Sequence, residues 1–360
     1  MRRLALSVLL LLLLSGCGGQ MSPDEAQESI QVLAMDTAML ITTYGERSPA
    51  AAYACEDTIR DLEKQLSRTD PDSEVSRLNA AGGEAVEVGE DLYILLHEAA
   101  CLSAETRGAF DVTVAPVVSA WGFTEDSFRV PSQAELDGLL KLVDYNAVYD
   151  RYLPTADPRA AAIGPGQSID LGGVAKGYAA DKIVKVLQEH EVPRANINLG
   201  GNVLAYGDRP DGTPWRVGIQ DPARPDDRDA LVGVLELVDS FAVTSGSYQR
   251  YFEEGGERYH HIIDPATGRP ADSGLTSVTV VAGTGAGNGA MCDAYSTALF
   301  IMGAEKALEF WRSQMDGALF SLVLVTEDGR VIVADEIGRF DFIPEEDSGY
   351  TYETITKTVS

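Results

Sequence analysis

Asp170-Leu171-Gly172-Gly173-Val174-Ala175-Lys176-Gly177-Tyr178 is the segment on which the rest of the chain turns. Before it, Ser168-Ile169-Asp170-Leu171 predicts the end of a β-strand. After it, Ala175, Ala179, Ile183, Val186 and Leu187 recur at helical spacing, with Lys182, Lys185 and Glu189 off that face. Two glycines between them predict a tight turn that opens a helix with bare backbone N–H groups. Such a helix end carries partial positive charge and suits an anion such as a phosphate. Asp170 before the turn and Lys176 in the first helical turn add one charge of each sign. Neither G-x-G-x-x-G nor G-x-x-x-x-G-K-[ST] is present, so this is not one of the common nucleotide loops. An ordinary strand–turn–helix connection would use the same residues, and only the other segments choose between the two readings.

The chain has 360 residues, enough for two domains or one large one, and 45% of them are hydrophobic, which supports a substantial core. Its 56 Asp and Glu against 28 Lys and Arg leave a net charge of −28. Nucleic acid is excluded as a partner, because a phosphate backbone needs a basic face. Any phosphate site must be local, built from backbone N–H groups, a metal ion or a few cations.

At the N-terminus Arg2-Arg3 precede a short apolar run, Leu4 to Leu14, and then Leu14-Ser15-Gly16-Cys17. That end resembles a bacterial lipobox. The resemblance implies a signal peptide over 1–16, lipidation of Cys17, and a protein anchored to a membrane on its extracytoplasmic face. Residues 17–29 read as a polar tether. No C-x-x-C joins Cys55, Cys101 and Cys292, so neither zinc nor a redox pair is indicated. Buried free thiols, or a Cys55–Cys101 bridge, are the readings left open.

Helices are predicted over 49–67, 74–79, 91–106 and 132–142, the last opening on a capping box of Ser132 and Glu135. A strand is predicted over 35–44, and two short ones within 145–169. From Ala195 the texture changes to strands and tight turns: 197–199, 203–206, 215–220, 231–238, 241–244, 259–263 and 275–282. Helices over 290–302 and 304–313 and a hairpin across Glu327-Asp328-Gly329 follow. The class expected is α+β, mainly antiparallel sheet with helices packed on it.

Two further segments bear on chemistry. Asp293 and Thr297 stand four apart near a predicted helix start and so share a face. They could hold a hard cation through oxygen, or Asp293 could cap the helix with Thr297 packed inside. His260-His261-Ile262-Ile263-Asp264-Pro265-Ala266-Thr267-Gly268-Arg269-Pro270 runs from a strand into a turn. Adjacent histidines on opposite faces of a strand make a poor zinc pair, and only one can face a site. Each reads as a hydrogen-bonded structural histidine or as a catalytic one. Thr244-Ser245-Gly246-Ser247 is a strand-end turn, not a nucleophile elbow.

Taken together these segments resemble the FAD:protein FMN transferases, the ApbE type. Met35-Asp36-Thr37 stands where the family carries Met-Gly-Thr, and the block from Leu66 to Asn79 is similar to the family's. So are Gly108-Ala109-Phe110-Asp111 with Pro116 and Trp121-Gly122-Phe123, the pivot through Asp181, Asn198 to Asn202, His261 to Gly268, and Asp293 to Thr297. The resemblance implies an ApbE-like, T-fold-related α+β architecture, a catalytic region over 30–345 and a tail over 346–360. It implies that Met35, Thr69, Ala109, Phe110, Asp111, Asp170, Lys176 and Ile263 line a pocket for FAD as substrate. It also implies that the Gly173 carbonyl, Asp293, Thr297 and a backbone oxygen at Ser296 bind Mg2+, with His261 as base or hydrogen-bond partner. Thr69 stands where some members have an aromatic, and Lys176 where some have Glu. The activity expected is Mg-dependent cleavage of FAD, transfer of FMN to a Thr or Ser of an exported acceptor such as a membrane redox subunit, and release of AMP. Hydrolysis of FAD to FMN and AMP, or FAD binding without catalysis, are the rivals.

Overall fold

In a computed structural model, residues 26–124, 127–150, 159–314, 320–335 and 338–356 are described. The signal segment and Cys17 lie outside the described residues. A nine-stranded sheet organises the rest, in the spatial order Gln27–Ala34, Thr37–Tyr44, Arg194–Asn198, Asn202–Tyr206, Ser240–Gly246, Leu275–Gly283, Phe320–Thr326, Arg330–Ala334 and Thr351–Ile355. Every pair in it is antiparallel except the last, Arg330–Ala334 beside Thr351–Ile355. The helices are α1 (Ser48–Leu66), α2 (Glu74–Ala80), α3 (Glu90–Glu105), α4 (Ala115–Ala120), α5 (Gln133–Leu139), α6 (Ala175–Glu189) and α7 (Asn288–Ser313). The expected α+β class is what the chain adopts.

Side-chain alternation along the strands builds a core on each face of the sheet. Val278, Val280, Leu322 and Leu324 point to one face and join a core with α1, α6 and α7 residues such as Ile59, Ile183 and Leu299. Val281, Val323, Val325, Val331 and Val333 point to the other, against a smaller sheet of Trp215–Gln220, Leu231–Leu237 and Asp341–Pro344. Burial on both faces explains why Val278 to Ala282 is an almost continuous apolar run instead of an alternating one. A third cluster gathers Val117, Trp121, Phe123, Leu136 and Ile263, with Phe252 and Tyr259 packed on it from the hairpin Tyr251–Glu254/Glu257–His260.

Several elements depart from the expectations. Ser168–Leu171 is not a strand. The Asn79 side chain takes both the N–H (2.8 Å) and the carbonyl (3.0 Å) of Ile169, and Asp170 N–H goes to the Val112 carbonyl, so no ladder partner is needed. The two expected C-terminal helices do form, as the two arms of α7, which meet at a kink where Gly303 leaves helical geometry at φ 79° and ψ 167°. Only half of the capping box forms: Ser132 Oγ accepts from Glu135 N–H, while the Glu135 carboxylate pairs with Arg129. The first strand begins at Gln27, within the stretch read as tether, and Thr351–Ile355 in the expected tail is an edge strand of the main sheet. None of the three described cysteines is in a disulfide, Cys55 and Cys292 being buried and Cys101 exposed.

Candidate active site

A cleft of about 1110 Å³ opens between the Met35–Thr37 turn, the end of α1, the pivot, the start of α7 and the His261–Pro265 turn. Every expected pocket and metal residue lines it except Ser296. Segments more than a hundred residues apart meet there because the sheet sets Thr37–Tyr44, Arg194–Asn198, Asn202–Tyr206 and Ser240–Gly246 side by side with α6 and α7 across them.

At one end, Met35 and Asp36 form the turn between the first two strands with φ of 49° and 58°, a conformation that costs non-glycine residues energy. Glu63 of α1 holds it by accepting the Met35 N–H at 2.6 Å. Thr69 is exposed on the cleft wall, its hydroxyl 3.1 Å from Ser67 Oγ. The Phe110 ring is buried below Gly173, and Ala109 sits half-buried beside it. Asp111 is pinned: its carboxylate accepts from Thr113 N–H (2.8 Å), Thr113 Oγ1 (2.6 Å) and Tyr145 N–H (3.2 Å). Burial raises its pKa, and these hydrogen bonds oppose the rise. Ile263 is buried, in a bridge with Pro270.

The pivot turn is held by charge. Asp170 Oδ1 accepts the Gly172 N–H and Oδ2 pairs with Arg68, both at 2.8 Å. Arg68 also donates to Ser119 Oγ, tying three cleft segments together. Lys176 Nζ donates to the Gly172 carbonyl at 3.1 Å, above the opening of α6.

Asp293 is buried in the second turn of α7, so it is not a cap. Its Oδ2 accepts the Gly177 N–H at 2.9 Å. That N–H is one of the donors at the start of α6 that have no partner within the helix, whose N-cap is Val174. Among the described residues the Gly173 carbonyl and Asp293 Oδ1 have no hydrogen-bond donors. Thr297 Oγ1 lies 3.3 Å from Ser245 Oγ, and Gly173 approaches it closely enough that an added Cβ would be 3.7 Å away. These oxygens belong to one carboxylate and neutral groups, and among the described residues no three His, Cys, Asp or Glu side chains gather as a metal site. A hard cation that completes its shell with waters and phosphates fits this donor set; zinc does not. Ser296 lies behind the wall, fully buried, its hydroxyl bonded to the Asp293 carbonyl and to Ser245 Oγ.

The two histidines separate as expected. His260 is buried, with Nε2 on the Ala271 carbonyl and its ring against Phe300. His261 faces the cleft, and its Nδ1 lies 3.1 Å from the Arg250 carbonyl, which can only accept. Nδ1 therefore carries the proton and Nε2 keeps its lone pair. Burial pushes the ring's pKa down to about 4, so it is neutral at pH 7.

Sequence reasoning missed Arg68 and Ser245. Arg68 lay inside a quoted motif, but its partner Asp170 is 102 positions away. Ser245 was read as part of a turn, whereas it belongs to the Ser240–Gly246 strand and reaches α7.

The ApbE family profile matches residues 35–320. The chain is 34% identical to an FAD:protein FMN transferase of Treponema pallidum (strain Nichols), over 86% of this chain and 88% of that one. It is 33% identical to one from Klebsiella pneumoniae (strain 342), over 91% and 97%. Among solved structures, an ApbE protein of Thermotoga maritima is similar with a TM-score of 0.76 and 32% identity, covering 85% of this chain and 96% of that one.

Proposed function

Because the chain belongs to the ApbE family, we propose that it is an FAD:protein FMN transferase that uses Mg2+ and passes FMN to a Thr or Ser hydroxyl of an exported protein, releasing AMP. The observation that carries this reading is that, among the described residues, the Gly173 carbonyl and Asp293 Oδ1 have no hydrogen-bond donor where the Gly177 N–H ties Asp293 Oδ2 to the start of α6, beside the Thr297 hydroxyl. Gly173, Asp293 and Thr297 would hold the metal. Bound there, Mg2+ would offset the charge that develops on the phosphates during transfer.

The protein's own groups supply the remainder. The start of α6 and Lys176 offer donors and positive charge to a phosphate. The Arg68–Asp170 pair fixes the turn from which they project. His261 Nε2, unprotonated at neutral pH, accepts the proton of the attacking hydroxyl, and the Arg250 carbonyl holds the tautomer. As the acceptor oxygen bonds to the FMN-side phosphorus, the pyrophosphate P–O bond breaks and AMP departs.

The lipobox-like Leu14 to Cys17 supports lipidation at Cys17 and a place on the extracytoplasmic face of a bacterial envelope membrane, where a membrane redox subunit would be the acceptor. Incubation with FAD, Mg2+ and candidate exported redox subunits, followed by in-gel flavin fluorescence, tests the reading. Covalent fluorescence with AMP release is the expected result. FMN and AMP without a labelled protein would instead make the chain a pyrophosphatase, and FAD retained intact would make it a binding protein.

A further inference from the structure

Two segments of the chain share one pattern, Gly177-Tyr178-Ala179-Ala180-Asp181 on α6 and Gly289-Ala290-Met291-Cys292-Asp293 on α7. A four-residue separation puts each glycine and its aspartate on one helix face. The two faces meet reciprocally. Asp293 accepts the Gly177 N–H at 2.9 Å, and Asp181 accepts the Gly289 N–H at 3.0 Å and the Ala290 N–H at 2.9 Å. The backbones touch between them: a Cβ on Gly177 would lie 2.1 Å from the Gly289 carbonyl oxygen, and one on Gly289 would lie 2.4 Å from the Gly177 carbonyl oxygen.

The start of α7 has no cap of its own. Its N-cap is Gly287, at φ 77° and without a side chain, and Asn288 turns its amide back to the Gly283 carbonyl. Gly289 and Ala290 are buried, so their N–H groups would otherwise be unpaired away from water, and Asp181 takes both. Asp293 stands one turn further along the same helix. Whatever fixes the height and rotation of that first turn therefore fixes where Asp293 Oδ1 and Thr297 Oγ1 lie relative to the Gly173 carbonyl.

We propose that Asp181 is a positioning residue for the cation site, holding the first turn of α7 against α6 so that Asp293 presents its free oxygen opposite Gly173. The inference rests on the metal reading under Proposed function, while the helix-to-helix link itself does not. Asp181 touches neither substrate nor metal; it acts through Gly289 and Ala290. Partners of this kind, one shell outside a metal's ligands, change affinity by about 10- to 100-fold when removed.

The test compares the full chain with Asp181→Ala and Asp181→Asn. The Asn variant keeps the shape and one acceptor but sets an amide donor against the second N–H. Binding of Mn2+, with and without FAD, is followed by the electron paramagnetic resonance of the free ion. Flavin binding without metal is followed by fluorescence, and backbone amides of 288–293 by hydrogen exchange. Weakening of Mn2+ binding by 10-fold or more in Asp181→Ala, less in Asp181→Asn, with metal-free flavin binding within 2-fold and faster exchange at 288–293, is the expected result. Mn2+ binding within 2-fold of the parent, in a variant that keeps its circular dichroism and cooperative melting, overturns the proposal. So does equal loss of metal and flavin binding, which would mark Asp181 as general support for the fold. If the parent chain binds no Mn2+ in either condition, the metal reading fails. Hydrogen exchange then decides the link alone, unchanged protection at 288–293 in Asp181→Ala overturning it.

Discussion

Asp293 and Thr297 carry unequal shares of the proposed cation site. Asp293 brings the only charge among the three proposed ligand residues, and its Oδ2 already bonds Gly177. Asp293→Ala removes both the charge and the α6 link, so FMN transfer is expected to fall at least 100-fold while flavin binding weakens only modestly, as steady-state transfer and fluorescence titration would show. Thr297→Ala loses a neutral ligand, and a loss of about 10-fold, largely restored by raising Mg2+, is expected in the same assay. Recovery of Asp293→Ala to near-parental transfer at high Mg2+ would contradict its rank as principal ligand. His261 makes a pH prediction of definite sign. Its folded pKa of about 4 lies below the ordinary 6.5, so the neutral ring contributes stability above pH 6.5 that is lost as pH falls toward 4. His261→Asn should flatten that part of the curve by at most about 3 kcal/mol, measured by urea melts at pH 7 and pH 4. Matching slopes for parent and variant would mean that the ring titrates normally.

Between elements, the decisive contacts are between loop and helix rather than within either. The pivot turn is not a strand end because Asn79, Val112 and Arg68 hold it from three sides. At Gly173 an added Cβ would lie 3.2 Å from the Phe110 ring, tighter than an ordinary contact, and a branched side chain has still less room. Gly173→Val is expected to abolish FMN transfer and to lower stability by about 1–3 kcal/mol, the usual range for overpacking, with far-UV circular dichroism preserved. Transfer at the parental rate would show that the turn has no close neighbour in the working enzyme. The half-formed capping box at α5 shows the same competition: Glu135 is better placed for Arg129 than for its own helix start.

Across the molecule, two features set where and how the cleft works. Among the described residues no helix is long and apolar enough to cross a membrane. In the proposed reading the lipobox-like Leu14 to Cys17 supplies the attachment, through Cys17. Cys17→Ser is expected to shift the protein from the membrane fraction to a soluble or unprocessed form, followed by fractionation and immunoblot. A processed variant that stays membrane-bound would reject the anchor. The net charge of −28 is the other feature. It disfavours an anionic substrate at long range, and two of the cations that line the cleft, Arg68 and Arg250, are engaged by Asp170 and by the Phe123 carbonyl. In the proposed reading the start of α6, Lys176 and a metal ion hold the pyrophosphate.

The helices, most strands and the α+β class were written in local periodicity, because burial on one face imposes a repeat of 3.6 or 2 wherever it occurs. The hairpin at Gly329 and the helix after the pivot were readable for that reason. The strand Gln27–Ala34 was not, since Glu28 at an inward position and exposed Leu33 at an outward one break its alternation and it depends on pairing with Thr37–Tyr44. Motif order likewise pointed to the residues that line the cleft. It could not show that Asp170 is paired with Arg68, that Ser245 backs Thr297, or that two Gly-x-x-x-Asp segments dock on each other. Those pairings join positions 52 to 116 residues apart. A side chain's partner at that separation is set by how the sheet and helices close in space, and no local repeat records it.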